Sequence, residues 1–163
     1  MPRDFKVYYC ERIADEVSEH VENFLSDVFK MQFRSVGVRI PRQVAWNSER
    51  NAFDAKILLE NAKSEGLSFF LWLIEKTLVL DDRYVFGYAE AIKGTIVSTS
   101  RMATRTLVAK EVAFHVGKVL GLQQCKDNCL MKETTSFEVL IQKPSTLCNL
   151  CIAKFKRVKI RYI

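Results

Sequence analysis

A chain of 163 residues, 48% hydrophobic and 27% charged, is long enough for one domain with a substantial core and has the balance of an ordinary soluble globular protein. Its net charge of +6 is concentrated only near the C-terminus, in Lys154, Lys156, Arg157, Lys159 and Arg161, and no nucleic-acid-binding motif accompanies it, which favours a solvated basic tail over a binding interface. No apolar run approaches the roughly 20 residues that cross a bilayer, and no signal peptide is evident, so a cytoplasmic location with reduced thiols is expected.

Residues 5–9 alternate bulky and polar side chains and read as a first strand. Residues 11–30 form a long amphipathic helix with Ile13, Val17, Val21, Phe24, Leu25 and Val28 on one face. His20 falls off that stripe beside Glu19 and is expected at the surface. Residues 33–40 read as a second strand ended by Pro41. A helix is expected to begin near Arg50, carrying Phe53, Ile57 and Leu58 inward, and to break at Gly66. Residues 67–74 are almost continuously apolar, as in a central strand buried on both faces. Strands at 84–89 and 95–101 follow, the second with period-two alternation of Thr, Ser and Val. The helix at 106–120 buries Val108, Val112, Val116, Val119 and Leu120 at helical spacing and stops at Gly121, where a left-handed cap is wanted. The order β-α-β-α-β-β-β-α describes a mixed sheet carried on helices. No internal repeat or linker divides it.

Beyond that helix lie Cys125-x3-Cys129 and, after eighteen intervening residues, Cys148-x2-Cys151. Two close thiol pairs separated by a loop of that length point to a tetrahedral four-thiolate zinc site, with two disulfides or four unrelated buried thiols as the alternatives. Cys10, at the end of the first strand, reads as a plain buried thiol.

The run Tyr84-Val85-Phe86-Gly87, residues 94–102, Lys110-Glu111, Val119-Leu120-Gly121-Leu122, Cys125, Cys129, Met131 and Cys148-x2-Cys151 resembles the archaemetzincins. These are metzincin-like zinc metalloproteases with the pattern H-E-x-x-H-x-x-G-x-x-H-C, then C-x-M, then C-x-x-C. The resemblance implies an α/β (α+β) fold with a twisted mixed sheet, a backing helix, an active-site-type helix and a small zinc-stapled C-terminal lobe. It divides a single domain, 1–163, into a sheet-and-helix part at 1–121 and a four-cysteine part at 122–163. It also implies that Cys125, Cys129, Cys148 and Cys151 hold one structural zinc ion, and that Met131 supplies the methionine turn beneath the cleft.

The catalytic half of the motif does not carry over. With Gly121 at the motif glycine, the three imidazole ligands fall on Phe114, Lys118 and Gln124, and the general-base glutamate falls on His115. A register that keeps Glu111 as the glutamate breaks the spacing to Cys125. The chain has two histidines in all, so a three-imidazole site cannot be built. Phe114 offers no lone pair, an ammonium at Lys118 repels a divalent cation, and Gln124 is a feeble zinc ligand. No catalytic zinc is therefore expected. Lys118 either replaces the ion's charge, pairing with a cleft carboxylate or the Gln124 amide while Phe114 fills the vacated volume, or is a surface lysine beside a core phenylalanine. The expected function is a pseudoprotease or peptide- or protein-binding module whose cleft takes an extended peptide. The alternatives are a zinc-stapled basic module on nucleic acid, a metalloprotease with a non-standard site, or an enzyme using unrelated chemistry around His115, Lys118 and a carboxylate such as Glu111.

Overall fold

In the computed structural model, which describes residues 4–162 with side chains through Lys159, the chain folds around two sheets. Strand β1 (Phe5–Tyr9) is followed by helix α1 (Asp15–Phe29), strand β2 (Phe33–Val38), a 3-10 turn (Gln43–Ala45) and strands β3 (Trp46–Asn47) and β4 (Ala52–Asp54). Helix α2 (Ala55–Ser64) leads to strands β5 (Phe70–Ile74), β6 (Leu78–Leu80), β7 (Arg83–Val85), β8 (Gly87–Glu90) and β9 (Gly94–Ser98), and helices α3 (Arg105–Val119), α4 (Phe137–Gln142) and α5 (Asn149–Tyr162) complete the chain.

The main sheet has the order β2-β1-β5-β9-β8, parallel except for β8, which pairs antiparallel with β9 and forms one edge. A smaller sheet has the order β3-β4-β6-β7. As its apolar run predicted, β5 is buried along its whole length. Leu71 and Leu73 face the core formed with α1 and α3, while Phe70, Trp72 and Ile74 face α2 on the other side. Alternation thus places large side chains on both faces, and a parallel interior strand buries them all.

Helix α3 begins at Arg105, one residue before the expected start. The Thr104 side chain accepts from the Leu107 N–H at 3.3 Å, capping the first turn. At the other end Gly121 adopts φ +99°. Its N–H donates to Lys118 O at 3.1 Å and the Leu122 N–H donates to Gly117 O at 2.9 Å, the paired bonds of a Schellman cap. Between these ends every residue from 108 to 117 is buried, because the sheet and α1 cover one side and the segment after Gly121 covers the other. Leu130, Met131, Leu140, Leu147 and Phe155 share the same core as α1 and α3.

Several expectations are corrected. The helix expected near Arg50 begins at Ala55, and Phe53 lies in β4, paired with Trp46 and Leu78. Asp54 sets that start by accepting from the Ile57 N–H at 3.0 Å. Ile57 is 39% exposed, while Leu58, Leu59 and Ala62 turn inward. Residues 84–89, expected as one strand, are divided between β7 and β8, in different sheets. His20 is half-buried, its Nε2 shielded and its ring 6.2 Å from that of Phe24. The basic tail lies on α5, where Lys154, Lys156 and Arg157 are exposed, but Lys159 donates to Lys30 O at 2.6 Å and so caps the end of α1. The Arg161 side chain lies outside the described residues. Cys10 is buried, as expected. No helix among the described residues is long and apolar enough to cross a membrane.

Candidate functional site

Two sites flank the C-terminal half of α3. The first is the sulfur cluster. Cys125 and Cys129 lie on the loop after the helix cap, Cys148 immediately precedes α5, and Cys151 lies in its first turn. The four Sγ atoms lie within 4.8 Å of one another, and all four thiols are unbridged. Thiolates bound at about 2.3 Å to one tetrahedral ion stand about 3.8 Å apart, and Cys125 Sγ and Cys148 Sγ are separated by 3.8 Å.

Backbone donors already point at these sulfurs. The Cys148 and Met131 N–H groups approach Cys129 Sγ at 3.2 and 3.4 Å, and the Cys151 N–H approaches Cys148 Sγ at 3.5 Å. That last donor holds the Cys148 thiol below its ordinary range, whereas burial pushes Cys129 and Cys151 up. Amide donors stabilise thiolate, the form that binds metal. The cluster can hold a metal ion.

The second site is a cleft of about 320 Å³ between α3, strands β7 and β8, and the loop from Glu133 to Phe137. Phe114, His115 and Lys118 line it, as the motif register requires, and Glu111 joins them one turn earlier. Gln124 does not: it is exposed and outside the lining. Met131 is fully buried beneath α3, and a Cβ added at Gly117 would stand 2.9 Å from its Cε. Glycine at 117 is what lets the methionine approach the helix so closely.

The floor of the cleft is a polar network. His115 Nε2 and Glu111 Oε1 are 2.9 Å apart, and both side chains are buried. Thr134 donates its hydroxyl to Glu111 Oε2 at 2.6 Å. Lys143, 2% exposed, donates to Thr134 Oγ1 at 3.0 Å and to Lys132 O at 3.1 Å. Burial would raise the Glu111 carboxyl, but the His115 contact, the Lys143 charge and the Thr134 hydroxyl outweigh it and hold the group below its ordinary range. Burial dominates at Lys143 and pushes its ammonium down to about 8. Lys110, also buried, donates to Ile141 O at 3.1 Å at the end of α4.

Phe114 is buried, and two ammonium groups sit over its ring, Lys118 Nζ at 4.6 Å and Lys143 Nζ at 4.7 Å from the centroid. Lys118 makes no hydrogen bond or ion pair among the described residues. It pairs with neither a cleft carboxylate nor Gln124, and the ring of Phe114 is its contact instead. Thr134 and Lys143 had no signal in the sequence, since both lie on irregular segments without periodicity. The Glu111–His115 contact did have one, the i, i+4 spacing. A larger groove, about 710 Å³ and mostly apolar, runs between α1 and α5 and shares no lining residue with the cleft.

Comparison with known proteins points one way. The model of peptidase family M54 matches residues 99–157. The archaemetzincin of Nanoarchaeum equitans is 30% identical over 136 residues, 82% of this chain and 79% of its own length. The archaemetzincin of Archaeoglobus fulgidus is 35% identical over 81 residues, 45% of this chain and 50% of its own. The crystal structure of the A. fulgidus protein, solved with malonate, superposes with a TM-score of 0.84 at 22% identity, covering 93% of this chain and 99% of that one. The archaemetzincin structure from Methanopyrus kandleri gives 0.86 at 21% identity, covering 96% and 95%.

Proposed function

The chain belongs to the archaemetzincin family, and from that premise we propose that it keeps the family's cleft as a peptide-binding groove without the metallopeptidase chemistry, on a scaffold stapled by one structural zinc ion. Cys125, Cys129, Cys148 and Cys151 would hold the ion. Its role there is to tie the loop after α3 to the start of α5; in small sites such ligation is typically worth about 10–16 kcal/mol of apparent binding energy at neutral pH.

One observation carries the loss of chemistry. The position of a metal-binding imidazole pair is taken by Phe114 and Lys118, and the Phe114 ring lies under two ammonium groups, at 4.6 and 4.7 Å. Two positive charges over a ring with no lone pair repel a divalent cation. The residues at this site do not fit the catalytic ion of the family. His115 and Glu111 engage each other across 2.9 Å, so neither is a free base waiting for an activated water. Peptide binding without cleavage is supported by β8, an edge strand whose Gly87 lines the cleft and to which an extended chain can add.

The test is a metal count by native mass spectrometry together with cleavage of casein followed with and without a chelator. One zinc per chain and no chelator-sensitive cleavage are expected. Two zinc ions per chain, or proteolysis abolished by the chelator, would overturn the reading.

A further inference from the structure

We propose that the cleft recognises the C-terminal carboxylate of a peptide, with Lys118 and Arg101 as its receptor and the rings of Phe86 and Phe137 as the wall for the last side chain. The proposal rests on the peptide-binding reading above and makes it specific.

The charged groups on the floor of the cleft already have partners. Glu111 has His115 and Thr134, and Lys143 has Thr134 and Lys132 O. Two cations do not. Among the described residues neither Lys118 nor Arg101 makes a hydrogen bond or an ion pair, yet both line the same cavity. Each rests on aromatic carbon instead. Lys118 lies over Phe114, and the Arg101 guanidinium lies 5.2 Å from the Phe86 centroid and 5.9 Å from that of Phe137. A cation on an aromatic face gains less than one hydrogen-bonded to a carboxylate. Lys118 is also half-buried, so part of its hydration is already gone. His115, whose ring lines the cavity too, has a shielded Nδ1 without a partner.

The surroundings select among anions. Glu133 lines the cavity and disfavours a dianion, which argues for a carboxylate over a phosphate. Phe137 is 39% exposed and packs edge-on against Phe86 with ring centroids 5.3 Å apart, forming an apolar wall beside the guanidinium. That juxtaposition suits a group with charge and hydrocarbon on the same residue, which is what a peptide's last residue offers. Strand β8, which Phe86 immediately precedes, supplies the open edge along which the preceding residues run.

The probe is an N-acetylated tetra-alanyl-phenylalanine pentapeptide, compared by calorimetric titration with its C-terminal amide and with acetate. The free acid is expected to bind at least about tenfold more tightly than the amide, and acetate more weakly than either peptide. Lys118→Met and Arg101→Gln should each weaken the free acid more than the amide, so that most of the preference for the acid is lost, and leave the melting temperature within a few degrees of the parent. Equal affinity for acid and amide would overturn the carboxylate receptor while leaving the peptide groove standing. Acetate binding as tightly as the acid would make this a small-anion site and overturn the peptide end. No binding of either peptide at millimolar concentration would overturn both readings. A substituted protein that loses acid and amide alike would assign Lys118 or Arg101 a structural role only.

Discussion

A Cβ added at Gly87, on the edge strand β8, would stand 2.9 Å from Nε2 of His115 on α3. The same atom would be 2.8 Å from the Ile96 carbonyl oxygen across the strand pair. The strand and the helix close over the polar floor of the cleft because one residue has no side chain. Gly87→Ala should therefore cost about 1–3 kcal/mol through overpacking. Adding His115→Ala should recover only part of that, since the Ile96 oxygen belongs to the backbone. Chemical denaturation of the two single variants and the double variant measures both effects.

The Glu111 carboxylate is the centre of the buried network, and removing it strands the groups around it. Glu111→Ala is expected to cost about 1–3 kcal/mol through the buried His115 and Thr134 groups that it leaves without their partner. The pH dependence carries a sign. The Glu111 carboxyl is held below its unfolded value, so its contribution is fully present above the ordinary carboxylate range and is lost as pH falls through the folded value. Glu111→Gln should flatten the acid limb of the stability curve. An acid limb identical to that of the parent would contradict the assignment.

Lys143 gives a slope of the same sign at the alkaline end of the pH axis. Burial lowers its ammonium from 10.5 to about 8, so between those values the unfolded chain binds more protons than the folded one. Stability from this group should rise with pH across that window, at a slope of up to about 1.4 kcal/mol per unit. Lys143→Met removes the slope while keeping most of the buried hydrocarbon. The difference between the parent and Lys143→Met curves from pH 7 to 11 isolates it from the other titrating groups.

The sulfur cluster is tested by contrast with Cys10. Cys148→Ser and Cys151→Ser should each bring the zinc count from one per chain toward zero and lower the melting temperature, given the about 10–16 kcal/mol such sites contribute. Cys10→Ser places a hydroxyl in a buried apolar position and should cost about 1–3 kcal/mol while leaving the metal count unchanged. Native mass spectrometry paired with calorimetry reads both. A Cys148→Ser protein that keeps its metal would show that the ion, if present, is held elsewhere.

The features legible in the sequence are those governed by short spacings and by the chemistry of single residue types. The C-terminal end of α3 follows from Gly121, whose capping bonds are local. The full burial of β5 follows from an apolar run too short for anything but a strand. Two thiol pairs announce their own convergence, and a chain with two histidines excludes a three-imidazole centre before any folding is considered. Tertiary structure decided what local pattern leaves open. Phe53 joins a strand rather than a helix because pairing with Trp46 and Leu78 outweighs helical periodicity. Thr134 and Lys143 reach Glu111 from irregular segments, and Lys118 settles on the Phe114 ring instead of on a carboxylate. Those choices depend on which charges lose their water together when the C-terminal segment closes over α3, and that desolvation is a property of the assembled core, invisible in any one stretch of chain.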